Sequence, residues 1–122
     1  MKELQGFSDR LMRELGWEIN EENFDKSRTS ILGTYMLLMT EIGEVGEEFR
    51  RLFTLVDGHV SKGCGQEEAF RRAMAEVKMD LGKELADCLA YITKFANFFD
   101  IDLEESFYSK MEEVRNRRKQ EA

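Results

Sequence analysis

The chain has 122 residues, of which 42% are hydrophobic and 35% charged, with no proline and a net charge of −7. This is the length of one domain, 1–122, with enough apolar material for a core. The negative balance excludes general nucleic-acid binding through surface charge. No stretch is apolar for long enough to span a membrane, and the charged, amphipathic start MKELQGFSDRLMREL does not read as a signal peptide. The expected compartment is therefore cytoplasmic. Abundant Glu, Lys, Arg, Leu, Met and Ala without proline predict an all-α protein.

In chain order, the spacing predicts a first helix over residues 2–15, with Leu4, Phe7, Leu11, Met12 and Leu15 on its buried side and Gly16 as terminator. A polar connection over 17–28 carries Trp17, Ile19 and Phe24. A second helix capped by Ser27 or Thr29 runs to Leu55, with apolar positions from Ile31 through Phe53 at helical spacing. The segment DGHVSKGCG, residues 57–65, reads as a loop. A third helix runs over 66–99, with a bend or interruption expected near Gly82. Asp102 and Glu105 form a capping pair for a fourth helix, from Leu103 to Arg118. Four helices with one apolar side each predict a bundle, or a half-bundle completed by a second subunit.

Chemistry concentrates in two acidic signatures. Glu41 and Glu44 lie in MTEIGEVGEEF, and Glu84 and Asp87 lie in GKELADCLAYI. Residues three apart are neighbours on a helix face, and Glu41, Glu44 and Glu48 fall within an arc of about 60°. Either signature alone is an ordinary helix-surface pattern. The pair carries more weight because both border apolar stripes in mid-helix, where carboxylates are partly desolvated and repel one another unless a cation binds. Four carboxylates from two packed helices make an oxygen-rich site for a hard cation such as Mg²⁺. Gly43 and Gly46 each cost about 1 kcal/mol relative to alanine in a helix, and close approach of the two acidic helices would offset that cost. Cys64 and Cys88 lack metal-ligand spacing. Cys88 reads as a small core residue, Cys64 as a loop residue, and His59 as a partnerless surface residue of the same loop.

Three segments, LMTEIGEVGEEF, KELADCLAYITKFAN and IDLEESFYSKMEEVRNR, resemble the MazG-like family of all-α nucleoside triphosphate pyrophosphohydrolases. The resemblance runs from Ser30 to Arg117. Glu41 and Glu44 match the second and third acids of the family's first motif, and Glu84 and Asp87 match its second. Thr40 stands where the family has its first glutamate, Val114 stands where many relatives carry asparagine, and the stretch between Glu44 and Glu84 is longer than in compact relatives. The resemblance implies a MazG-like four-helix bundle completed by oligomerisation, as a homodimer or homotetramer. It also implies Mg²⁺-dependent cleavage of a (d)NTP to (d)NMP and pyrophosphate in nucleotide-pool house-cleaning, with Mn²⁺ as a substitute metal. Glu41, Glu44, Glu84 and Asp87 would hold the metal, and Glu41 or Glu44 would accept the proton of the attacking water.

Lys110 is a phosphate candidate by the same resemblance. Lys94 and Tyr91, which follow Asp87 at helical spacing, and Arg117, seven residues after Lys110, are candidates by position. Trp17 is a candidate for stacking on the base, with a core or interface anchor as its alternative. The neighbouring Arg115, Arg118 and Lys119 read as ordinary charge near a helix C-terminus. Phosphoribosyl-ATP or dUTP as substrate, and a non-catalytic helical metal-binding or interaction module, are the competing readings.

Overall fold

A computed structural model describes residues 1–121. It is all-helical, with α1 Lys2–Leu15, α2 Phe24–Ser61, α3 Gln66–Phe98 and α4 Leu103–Glu121. None of these helices is long and apolar enough to cross a membrane. The chain divides into a terminal unit, residues 1–32 with 90–121, and a hairpin unit, residues 33–89.

In the terminal unit, Gly16 ends α1 in the left-handed region at φ 71°. The Gly16 N–H bonds to the Arg13 carbonyl at 3.2 Å, and the Trp17 N–H bonds to the Met12 carbonyl at 2.7 Å. α2 begins earlier than the sequence indicated. Asn23, rather than Ser27 or Thr29, supplies the cap, its side-chain oxygen accepting the Lys26 N–H at 2.9 Å. Ser27 and Ser30 instead hold the connection against α2. The Ser27 hydroxyl donates to the Asn20 carbonyl at 2.6 Å, and Ser30 Oγ accepts the Asn20 N–H at 3.1 Å. Asp102 caps α4 as expected, accepting the Glu105 N–H at 3.1 Å.

α1 is the largest departure. Its polar face is the one it turns to its own chain. Gln5 is only 9% exposed; its Nε2 donates to the Ile101 carbonyl at 2.6 Å and its Oε1 accepts the Leu103 N–H at 3.1 Å. The Gln5 carbonyl accepts Asn97 Nδ2 at 3.1 Å, and Thr93 Oγ1 donates to Ser8 Oγ at 2.8 Å. Leu4, Phe7 and Leu15, expected on the buried side, are exposed, Phe7 by 57%. The buried amide satisfies polar backbone groups at the α3–α4 turn that no helix can pair internally, and that fixes the rotation of α1.

In the hairpin unit, α2 runs without a break through Asp57, Gly58, His59 and Val60, so the turn expected over 57–65 contracts to 62–65. Gly63, at φ 102°, makes the reversal, and the Cys64 N–H closes onto the His59 carbonyl at 3.1 Å. α3 is likewise unbroken at Gly82. Along α2, Thr34, Leu38, Glu41, Val45, Glu48, Leu52, Leu55 and His59 alternate steps of four and three, and every one is buried or half-buried. This is the spacing of a helix–helix seam. Opposite Leu52 lie Ala73 and Val77, with Leu55 and Val56 packed beside them; Ala69 and Ala73 are wholly inaccessible.

The glycines do not mediate this approach. A Cβ added at Gly43 or Gly46 meets nothing within 4 Å. Polar ties cross the seam instead. Arg51, paired with Glu48 on its own helix at 3.1 Å, reaches across to Asp80 at 3.1 Å, and His59 Nε2 pairs with Glu76 at 2.6 Å. His59 is therefore a half-buried seam residue with a partner, not a loop residue without one. A second stripe on α2, Tyr35, Met39, Ile42, Phe49 and Phe53, remains exposed, as do Phe70, Met74 and Leu85 on α3.

Leu52→Ala is expected to cost about 2–4 kcal/mol, because it opens a cavity against Ala73 and Val77, short side chains that fill little of it. Urea denaturation followed by circular dichroism would measure it.

Candidate metal centre

Three steps along the seam from Leu52, beyond Glu48 and Val45, the packing line carries a carboxylate, Glu41. Glu41 is positioned there by α2, and α3 brings Glu84 and Asp87 opposite it. One oxygen from each of Glu41, Glu84 and Asp87 lies within 4.8 Å of the others. Glu41 and Glu84 are half-buried and Asp87 is exposed. Glu44, one turn further along α2, is exposed and is not among the converging carboxylates. Three of the four acids singled out in the sequence therefore meet, and the fourth stands beside them.

The electrostatics distinguish this cluster from the other acids of the seam. Glu48 and Asp80 share Arg51, and Glu76 pairs with His59. Within the hairpin unit no basic side chain pairs with Glu41, Glu44, Glu84 or Asp87 among the described residues. Burial holds the Glu41 carboxyl above the usual carboxylate range, and a hydrogen bond with Glu84 and the charges of Asp87 and Glu84 raise it further. Cys88 registers the same field. Its thiol is pushed up first by burial, then by Glu41, Asp87 and Glu84. The donor set is all carboxylate oxygen, which suits hard cations that prefer oxygen ligands. Three ligands at this spacing leave room for waters or phosphate oxygens to complete the coordination.

The remaining sequence-derived candidates all belong to the terminal unit. Trp17 is 61% exposed, leaving its indole faces open. Tyr91 is half-buried, and Lys94 Nζ stands 5.9 Å from the centre of its ring. Lys94 lines a small cavity with Asp9, Arg13, Glu18 and Asn97. Burial lowers its pKa, and the charge of Glu18 opposes that shift. Lys110 and Arg117 are exposed on α4, and both lean on Glu113, at 3.3 and 3.7 Å. Exposed pairs of this kind are worth little, so both cations stay exchangeable.

Arg51 and Cys88 had no part in the sequence-derived site. The spacing of Glu48 and Arg51, one helical turn apart, was a visible signal for the first. Position 88, adjacent to Asp87 and one turn from Glu84, was the signal for the second. Comparison with protein-family models, curated proteins and solved structures finds no match.

Because the folded state holds the Glu41 proton more tightly than the unfolded chain, stability falls as pH rises from the ordinary carboxylate range through the raised value. In chelator-treated protein, Glu41→Gln should therefore raise Tm at neutral pH. The gain should shrink as pH falls and vanish below the ordinary glutamate range. Differential scanning calorimetry at several pH values would measure both.

Proposed function

We propose that the chain is a MazG-like, Mg²⁺-dependent nucleotide pyrophosphohydrolase, cleaving a nucleoside triphosphate to the monophosphate and pyrophosphate. One observation carries the reading: Glu41, Glu84 and Asp87 converge across the α2–α3 seam without a basic partner in their unit. Seam acids elsewhere have a partner, Arg51 for Glu48 and Asp80 and His59 for Glu76. The uncompensated cluster is where a divalent cation is most favoured, and its spacing follows the two acidic motifs of the family resemblance.

Glu41, Glu84 and Asp87 are the residues that would hold Mg²⁺ or Mn²⁺. A bound cation of this kind neutralises triphosphate oxygens and lowers the pKa of a coordinated water. Glu44, exposed and outside the converging group, is the carboxylate left to accept a proton from that water. Half-burial of Glu41 and Glu84 lowers the local dielectric and strengthens each of these interactions. Trp17 offers an open aromatic face for a base. Tyr91, Lys94, Lys110 and Arg117 are the phosphate-contact candidates. Thr40, at the position of the family's first acid, donates its hydroxyl to the Met36 carbonyl at 3.1 Å and adds no charge.

Assembly into a homodimer or homotetramer belongs to the same proposal. It is supported by the exposed stripe of Tyr35, Met39, Ile42, Phe49 and Phe53, which is more apolar surface than one helix of a monomer ordinarily leaves in water.

A panel of canonical and modified NTPs and dNTPs, with phosphoribosyl-ATP included, tests the reaction when read for pyrophosphate against orthophosphate. Monophosphate plus pyrophosphate is expected, lowered by roughly 100-fold or more in Glu84→Gln, a barrier increase near 3 kcal/mol. Orthophosphate release overturns the cleavage site. Independently, millimolar Mg²⁺ should raise Tm of the wild type and not of Glu84→Gln, since a ligand bound only by the folded state stabilises it. An inactive protein whose Tm ignores Mg²⁺ overturns the reading.

A further inference from the structure

We propose that the small cavity inside the terminal unit is a built site for one water, which joins the Glu18 carboxylate to the Lys94 ammonium and fixes the direction of that ammonium. The inference does not rest on the hydrolase reading. It starts from two polar groups that share one cavity and lack partners. Glu18 Oε2 is shut off from solvent and has no hydrogen-bond partner, the only buried side-chain polar atom in that condition among the described residues. Lys94 lines the same cavity and is half-buried. Among the described residues no carboxylate lies within 4.0 Å of its ammonium, because the other acids of the cavity, Asp9 and Glu21, are both taken by Arg13, at 3.0 and 3.4 Å. Buried polar groups are almost always satisfied, by protein or by ordered water.

Both walls of the cavity are fixed by contacts of their own. On one side, Ile19 is 2% exposed and anchors the connection after α1, and Asn20 is tied to Ser27 and Ser30 at the start of α2. Glu18, next to that anchor, is held inward. On the other side, Thr93 bonds to Ser8 at 2.8 Å and Asn97 Nδ2 to the Gln5 carbonyl at 3.1 Å, which fixes the stretch of α3 that carries Lys94. The two groups are therefore held near each other without being brought into a direct pair.

Size and charge identify the occupant. The cavity has a volume of about 10 Å³, which is what one water needs and too little for a larger ligand. A cation there would sit against Lys94 and Arg13, and an anion against Glu18. Water is neutral and both donates and accepts. It donates to Glu18 Oε2 and accepts from the Lys94 ammonium. Its second O–H is left for the side-chain oxygen of Asn97, whose amide nitrogen is already committed to Gln5. Three partners are the usual complement of an internal water. Burial lowers the pKa of Lys94 and the charge of Glu18 opposes that shift. A bridging water carries this support nearly as well as a direct bond, and it leaves the ammonium with N–H groups free for an anionic oxygen.

A crystal structure of the full chain that resolves ordered solvent tests the site. One solvent peak within hydrogen-bond distance of both Glu18 Oε2 and Lys94 Nζ is expected. In solution, oxygen magnetic relaxation dispersion should count one long-lived water fewer in Glu18→Met than in the wild type, since a thioether is only a weak acceptor. Glu18→Gln keeps an acceptor oxygen and removes the charge. It should retain the water, while the Lys94 amine, followed by isotope-edited NMR, should titrate at lower pH than in the wild type. Circular dichroism establishes that each variant is folded; where Glu18→Met is not, the crystal structure and the Glu18→Gln titration decide. A direct Glu18–Lys94 ion pair in the crystal, no solvent peak between them, an unchanged water count in folded Glu18→Met, or a Lys94 titration indifferent to Glu18→Gln overturns the inference.

Discussion

Placing charge in a helix–helix seam is the constraint on which the hairpin unit depends. A seam position faces a neighbouring helix and is normally filled by an aliphatic side chain. At Glu41, Glu84 and Asp87 the chain puts three carboxylates there, and the half-buried Glu41 is held protonated more readily than a free glutamate. The cost is met nearby rather than at the cluster. Leu52, Ala73 and Val77 pack the distal part of the seam, while Arg51 pairs with Glu48 and Asp80 and His59 with Glu76. The hairpin is thus held at its tip and in its middle, and is left electrostatically unsatisfied at one level. That division resembles other sites in which local instability is retained for binding and supported by packing elsewhere.

A second organising contact is a single amide. The Gln5 carboxamide joins α1 to the turn after α3 and to the first residue of α4 through two hydrogen bonds. Its carboxamide provides both a donor and an acceptor, which no aliphatic residue can supply. Packing α1 by its apolar side would have left the Ile101 carbonyl and the Leu103 N–H without these partners. The rotation of α1 is therefore decided by hydrogen-bond satisfaction, and the displaced apolar stripe becomes surface.

Helix number, order and approximate limits were legible because proline is absent and the apolar spacing is regular. The Gly16 terminator and the Asp102 cap were legible because each depends on one residue and its immediate neighbours. The loop over 57–65 was misread for a related reason. Gly58 inside a helix costs only about 1 kcal/mol, and the seam contacts of Leu55 and His59 outweigh it. The face of α1 was not legible, since periodicity identifies an apolar side but not what covers it. Convergence of Glu41, Glu84 and Asp87 was foreshadowed by their spacing. The exclusion of Glu44 was not, because one turn of offset on a seam decides between facing a neighbouring helix and facing water.

The two units differ in how they can be assembled by a growing chain. The hairpin unit is one continuous segment, closed by a turn of a few residues, so its contacts are available as soon as α3 emerges. The terminal unit joins α1 to the turn after α3, and the Gln5–Ile101 bond spans 96 positions. Until the α3–α4 turn has emerged, α1 lacks the hydrogen-bond partners that fix its rotation. An emerging chain therefore exposes the apolar side of α1 before the partners of Gln5 are made. Chaperone engagement should concentrate on α1 even though the acidic hairpin has already folded.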